Sequence, residues 1–242
     1  MVPLSTDLRL TDLVMGRHSG PMRAPIAFAL IFLLAACIPG GDGRTPPPRP
    51  MQPSQPAQTR ADADDPATRQ CHSDLARDQI RFRPLEDRRF DGGCSALGSV
   101  QLLEIGTPVT NLGAMTCPLA RVFARWVRES VQPAAAEFLG SPVRRVETFG
   151  TYACRGVNSR PGARLSEHGY ANAVDVAAFL LADGRRVTVE QGWRGGEEDV
   201  RQFLRAVHQG GCRRFNIGLG PDSDSYHYNH LHFDMGRGPY CR

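Results

Sequence analysis

Ser166-Glu-His-Gly-Tyr-Ala-Asn-Ala-Val-Asp175 is the stretch on which the reading of this chain turns. A second stretch, His227-Tyr-Asn-His-Leu-His-Phe-Asp234, reads as its partner. The chain has seven histidines, and four of them lie in these two stretches. Zn²⁺ favours imidazole nitrogen and carboxylate oxygen, and a catalytic site needs three protein ligands plus a water. The spacing predicts that His168, Asp175 and the later histidines meet in the fold around one Zn²⁺ with an open position. In a strand alternate residues face the same way, so His230 and His232 share one side while Leu231 turns to the core. The single-helix pattern His-Glu-x-x-His is absent, so strand and loop geometry has to build the site. Blander readings stand beside this one. Asp175 alone would suit a buried, hydrogen-bonded carboxylate, and His227, His230 and His232 a surface cluster. The two stretches together favour metal, because an unpartnered buried carboxylate is costly.

The 242 residues are enough for one ordinary domain with extra length. A hydrophobic content of 41% is compatible with a globular core. The 29 basic residues are all arginine and scattered, and the formal charge is only +4. No Lys/Arg block or recognition motif appears, so no nucleic-acid partner is expected.

Residues 1–37 read as an export signal, with Met22 a possible true start. Ala24 to Ala36 is an apolar run too short to span a bilayer but suited to a signal core. It ends in Leu34-Ala-Ala-Cys37, which looks like a bacterial lipobox with Cys37 as the lipidated residue. The alternative is an ordinary signal followed by a chance cysteine. Residues 38–70 read as a linker, since the run from Thr45 is rich in proline, which lacks an amide donor and stiffens the chain. The folded domain is expected over 71–242. It holds Cys71, Cys94, Cys117, Cys154, Cys212 and Cys241, an even set that implies disulfides in an oxidising compartment. Composition does not choose among their pairings; the simplest expectation is pairing in chain order. Within the domain, Cys117–Leu139 reads as the main helix, with Thr116 as cap and a break at Pro133. Glu197–His208 reads as a second helix ended by Gly210-Gly211. Val143–Tyr152, Asn172–Leu181, Arg186–Glu190, Phe215–Leu219 and His230–Met235 read as strands. The expected fold is therefore α+β, a small antiparallel sheet carrying a zinc site, flanked by two main helices and stapled by disulfides.

The motif Ser-x-His with a following Ala-x-Asp, and a C-terminal His-x-His, resembles the zinc peptidase group of D-alanyl-D-alanine peptidases, lysostaphin-type enzymes and murein endopeptidases. The closer resemblance is to the bacterial extensin-like C-terminal family. It is carried by Tyr152-Ala-Cys-Arg155, Arg164-Leu-Ser-Glu-His168, Asn172-Ala-Val-Asp175, Phe215 with Leu219-Gly-Pro221, and His227–Asp234. The resemblance implies His168, Asp175 and His232 as zinc ligands and His230 and His227 as catalytic histidines. It also implies Arg155 as a group that binds a substrate carboxylate or the developing oxyanion. Ser166 and Asn172 would frame the site. Asp234 would either orient an imidazole or be a strand-end charge. Two positions depart from the peptidase pattern: Ala171 stands where that group has glycine, and no Glu-x-x-His precedes the last ligand. The expected function is a zinc-dependent hydrolase of peptidoglycan peptide crosslinks in the periplasm, held at the outer membrane through Cys37. The alternative is a non-catalytic wall-binding or structural lipoprotein that keeps the zinc.

Overall fold

The computed structural model describes residues 65–242. The stretch read as an export signal, Cys37 and nearly all of the Pro-rich segment therefore lie outside the described residues. Helix α1 (Pro66–Arg77) begins inside the stretch read as linker. Asp65 caps it, accepting from the Thr68 amide at 2.9 Å, and Pro66 occupies the first turn, where a missing N–H costs nothing. Asp74 and Asp78 on and just after α1 pair with Arg121 and Arg125 of the next helix.

A three-stranded antiparallel sheet follows, in the order β1 (Arg81–Pro84), β4 (Ser99–Glu104), β6 (Met115–Thr116). Beside it lies a two-stranded ribbon of β2 (Arg88–Arg89) and β3 (Ser95–Ala96). Helix α2 (Cys117–Trp126) then runs on through a π turn at 127–131, α3 (Gln132–Ala134) and a second π turn at 135–139. Pro133 has no N–H to offer the ladder, so the rod widens around it rather than breaking. Gly140, at φ 64°, ends the rod. Thr116 stands at the cap position but makes no capping bond; its hydroxyl donates instead to Asn172 Oδ1 at 2.8 Å. Trp126 is fully buried and donates its indole N–H to the Val207 carbonyl at 2.9 Å.

The main sheet overturns the expected architecture. It has seven strands and is mixed, ordered β12 (Tyr240–Cys241), β10 (Ile217–Leu219), β11 (Leu231–Asp234), β8 (Ala173–Leu181), β7 (Val143–Gly150), β5 (Val109–Thr110), with β9 (Arg186–Thr188) also on β8. The inner pairs are antiparallel, whereas β5–β7 and β10–β12 are parallel. A small antiparallel sheet was expected because two-residue edge strands carry no readable periodicity. All nine residues of β8 are buried, so it is a central strand covered on both faces and reads as a continuous apolar run.

Four helical rods, not two, accompany the sheets. Besides α1 and the α2–α3 rod there are α4 (Val189–Gly195) and α5 (Glu198–Cys212). Helix α4 replaces the end of the expected strand Arg186–Glu190; Thr188 caps it through the Gln191 amide at 3.2 Å. Gly210 and Gly211 lie inside α5 rather than ending it. A Cβ on Gly210 would sit 2.5 Å from Ser130 Oγ, and one on Gly211 would enter the ring of Phe233. Glycine here lets α5 approach both the long rod and strand β11.

The disulfides are Cys71–Cys117, Cys94–Cys154 and Cys212–Cys241. Pairing in chain order fails for the first two because α1 packs along α2 and brings Cys71 to its first residue. The third holds, and it ties β12 to the end of α5. Among the described residues no helix is long and apolar enough to cross a membrane.

Candidate metal centre

Strands β8 and β11 place the site. In their antiparallel register His232 stands opposite Asp175. Along β11 the side chains alternate: Leu231 and Phe233 are fully buried in the core, while His232 and Asp234 point the other way. His168 arrives from a 3-10 turn, Glu167–Tyr170, whose entrance Ser166 caps with its hydroxyl, 3.4 Å from the His168 amide. The chain then reverses into β8 through Ala171, a left-handed residue at φ 54° and ψ 29°. Its carbonyl accepts from the Thr116 amide at 2.8 Å and its own N–H donates to the His168 carbonyl at 3.2 Å. Asn172 donates to Glu167 Oε2 at 2.7 Å, closing the turn from behind. Glu167 has this framing role without having been singled out from the sequence.

Three ligand atoms converge. His168 Nε2 lies 3.2 Å from His232 Nδ1 and 3.1 Å from Asp175 Oδ1, and His232 Nδ1 lies 2.8 Å from Asp175 Oδ1. The other nitrogen of each imidazole is committed. His168 Nδ1 donates to the Thr151 carbonyl at 3.0 Å, and His232 Nε2 faces Asp234 Oδ2 at 2.8 Å. A carbonyl only accepts, so His168 Nδ1 carries the proton and Nε2 presents a lone pair to the trio. Asp234 thus sits where it orients an imidazole. Zinc bonds of about 2.0–2.1 Å at tetrahedral angles put ligand atoms about 3.3 Å apart, close to the observed triangle. All three side chains are buried. A buried carboxylate and two converging nitrogens need a positive charge between them. Burial by itself pushes His232 down, but hydrogen bonds to Asp175 and Asp234 and their charges outweigh it and raise its pKa to about 9. Burial likewise pushes Asp175 up, and hydrogen bonds with His168 and His232 carry it well below the usual carboxylate range. A divalent cation between the three ligand atoms would supply that positive charge.

Around the trio the chain leaves an open cleft of about 1300 Å³. His230 stands just before β11 with Nε2 3.5 Å from Asp175 Oδ1 and Nδ1 2.9 Å from Asn229 Oδ1. Burial pushes its pKa down to about 4. The His227 ring lies tilted beside it, ring centroids 5.1 Å apart, and its Nδ1 meets Asp224 Oδ1 at 2.8 Å. Burial lowers the His227 pKa although Asp224 pulls it up. Arg155 Nη2 lies 3.6 Å from Asp175 Oδ2. The fold therefore brings all the expected ligand, histidine and arginine positions to one cleft. Sequence reasoning missed Asp224 and the Thr151 carbonyl. The spacing of an Asp three residues before His227 was a signal for the first; a backbone acceptor leaves none.

A second group, His208 with Cys212 and Cys241, also has metal-ligand proximity. Its two sulfurs form a disulfide, so while oxidised it offers one imidazole and no thiolate.

Comparisons with curated proteins and with solved structures each returned no match. No comparison ties the chain to the D-alanyl-D-alanine peptidases or lysostaphin-type enzymes that its motifs resemble. The family model described as extensin-like protein C-terminus matches residues 69–242, which contain both halves of the cleft. The chain belongs to the extensin-like protein C-terminus family.

Proposed function

We propose that this chain is an envelope protein that binds the cell wall and holds one Zn²⁺ through His168 Nε2, Asp175 Oδ1 and His232 Nδ1. The observation that carries the reading is the convergence of these three atoms with both outer imidazole nitrogens already committed. The zinc would tie β8, β11 and the Ser166–Ala171 turn together. The location is part of the proposal: the lipobox-like stretch ending at Cys37 and the Pro-rich segment would tether the domain in the periplasm at the outer membrane, within reach of peptidoglycan. Metal analysis of the purified protein tests the site. Zinc close to one per chain, lost in His168→Ala, supports it, and a correctly folded metal-free protein after purification with zinc removes it.

A second reading is a zinc hydrolase of peptidoglycan crosslinks such as D-Ala–diaminopimelate. It is favoured by His230 and His227, two non-ligand imidazoles beside the trio and facing the same cleft. Bound zinc would act as a Lewis acid toward a carbonyl and lower the pKa of water. Burial lowers the pKa of both His230 and His227 and so favours the neutral imidazole that a proton acceptor needs, though it weakens their basicity, and Asp224 fixes the orientation of His227. Arg155 would turn from Asp175 to a substrate carboxylate or oxyanion. Digestion of purified murein separates the readings. Release of muropeptides by wild type but not by His230→Ala favours the hydrolase; binding without release by both favours the wall-binding protein.

A further inference from the structure

The exposed aromatic surface of the described residues is concentrated in one place. Six large hydrophobic side chains are exposed, and four of them, Phe149, Tyr226, Tyr228 and Tyr240, line the cleft above the trio. Each is more than half exposed, at 51–55%. A monomer rarely gathers its exposed rings without a ligand for them. The same cleft is lined by Arg164 and Arg237, both exposed and, among the described residues, without a carboxylate partner. The carboxylates of the cleft are all committed: Asp175 and Asp234 to His232, Asp224 to His227, Glu167 to Asn172. Arg164 and Arg237 are therefore the charged side chains of the cleft walls left without a protein partner among the described residues.

We propose that the cleft binds a carboxylated saccharide chain, with the tyrosines and Phe149 stacking on sugar rings and Arg164 and Arg237 pairing with the carboxylates. This deepens the wall-binding reading by making the glycan, rather than its peptide, the part recognised along the walls. Three observations select that class. The exposed tyrosine rings offer flat faces to the C–H side of a pyranose and their hydroxyls reach its oxygens, and Phe149, held edge-on by His230 at 5.7 Å, adds an apolar wall. Asn158, Ser159, Ser223 and Asn229 line the same cleft and supply uncharged hydrogen-bonding groups suited to sugar hydroxyls. An extended peptide adding to a sheet needs a free strand edge of some length; the floor strands β8 and β11 are interior, and the edge strand at the cleft, β12, is only two residues long, Tyr240–Cys241. A nucleic-acid strand carries a charge on every unit and would run over the four floor and wall carboxylates with only isolated arginines to meet it.

The test is equilibrium binding to the full chain of four soluble probes: a hyaluronan oligosaccharide, chitohexaose, poly-glutamate and single-stranded DNA. Hyaluronan is expected to bind best, and chitohexaose more weakly because it lacks the carboxylates. Tyr226→Ala with Tyr228→Ala should weaken hyaluronan binding about tenfold, the loss typical of removing aromatic anchors. The corresponding Phe substitutions should retain most of it. Arg164→Gln with Arg237→Gln should abolish the preference for hyaluronan over chitohexaose. Zinc content should be unchanged in all these variants, since none touches the ligands. Saccharide binding that persists in a chain found to hold no zinc would leave this inference standing and remove the metal reading alone. Poly-glutamate or DNA binding as tightly as hyaluronan, or tyrosine variants binding like wild type, would overturn it.

Discussion

His232 and Asp175 face each other across the β8–β11 ladder, Nδ1 to Oδ1 at 2.8 Å, and the far nitrogen of the same imidazole rests on Asp234 at 2.8 Å. The period of two along β11 sets both contacts, because His232 and Asp234 must share a face. Asp234 therefore fixes which nitrogen of His232 faces the metal position. Asp234→Asn is expected to weaken zinc binding by about 10–100-fold, the usual effect of removing a group that orients a ligand. Competition with a chromophoric chelator measures it, and unchanged affinity would show that Asp234 is only a strand-end charge.

Ala171 is buried and left-handed. For a residue with a Cβ that conformation costs about 1–2 kcal/mol. Replacing it by glycine relieves the strain but removes a buried methyl worth about 0.8 kcal/mol and adds unfolded-state freedom worth about 0.5–1 kcal/mol. The effects oppose each other, so Ala171→Gly should stay within about 1 kcal/mol of wild type. Ala171→Val, which puts a β-branched side chain at positive φ, should cost about 2 kcal/mol or more and reduce zinc occupancy. Denaturant titration of both variants checks the contrast.

Gly211 poses the opposite balance. Alanine is the better helix former by about 1 kcal/mol, yet its Cβ would enter the Phe233 ring. Phe233 is fully buried and adjacent to His232, so it has nowhere to retreat without moving β11. Overpacking costs about 1–3 kcal/mol, and Gly211→Ala should therefore lower both the melting temperature and zinc affinity. A gain in stability would show that α5 can shift away from the sheet.

The legible parts of this fold are those whose side chains announce their chemistry. The convergence of His168 and Asp175 with the later histidines was readable from strand and turn spacing, and the choice of His232 among them came from the family resemblance; the amphipathic face of α5 was readable through Val200, Phe203, Leu204 and Val207. Gly210-Gly211 misled because glycine serves both helix ends and close packing, and only the position of Phe233 decides between them. The Arg186–Glu190 segment is a strand only as far as Thr188, where β9 ends and the same residue caps α4, because its β-branched residues suit both roles. The Cys71–Cys117 and Cys94–Cys154 bridges depend on tertiary packing that spacing does not encode. Thr151 acts through its carbonyl, which no residue identity reveals.

His208 contributes to the pH dependence of stability, in the same direction as His230, His227 and His72, whose pKa values burial also lowers. It is buried between Trp193 and Phe233, ring centroids 5.5 Å and 6.1 Å away. Burial holds its pKa below the ordinary value although the Gly218 backbone contact pulls it up. A folded-state pKa below the unfolded one means the unfolded chain binds more protons as pH falls through about 6.5. Stability from this group is thus present above that pH and lost below it. His208→Gln should flatten the decline between about pH 7 and 5 in urea melts compared with wild type. An equally steep decline in the variant would assign the slope to other groups.

The central claim is that His168, Asp175 and His232 hold one metal ion. The direct measurement is elemental analysis of protein purified in the presence of zinc and then gel-filtered, for wild type and His168→Ala, with circular dichroism of both. The account predicts about one zinc per chain in wild type and a large loss in the variant, with the disulfide-stapled fold retained. A folded wild-type protein carrying no zinc, or a His168→Ala protein carrying as much as wild type, would contradict it.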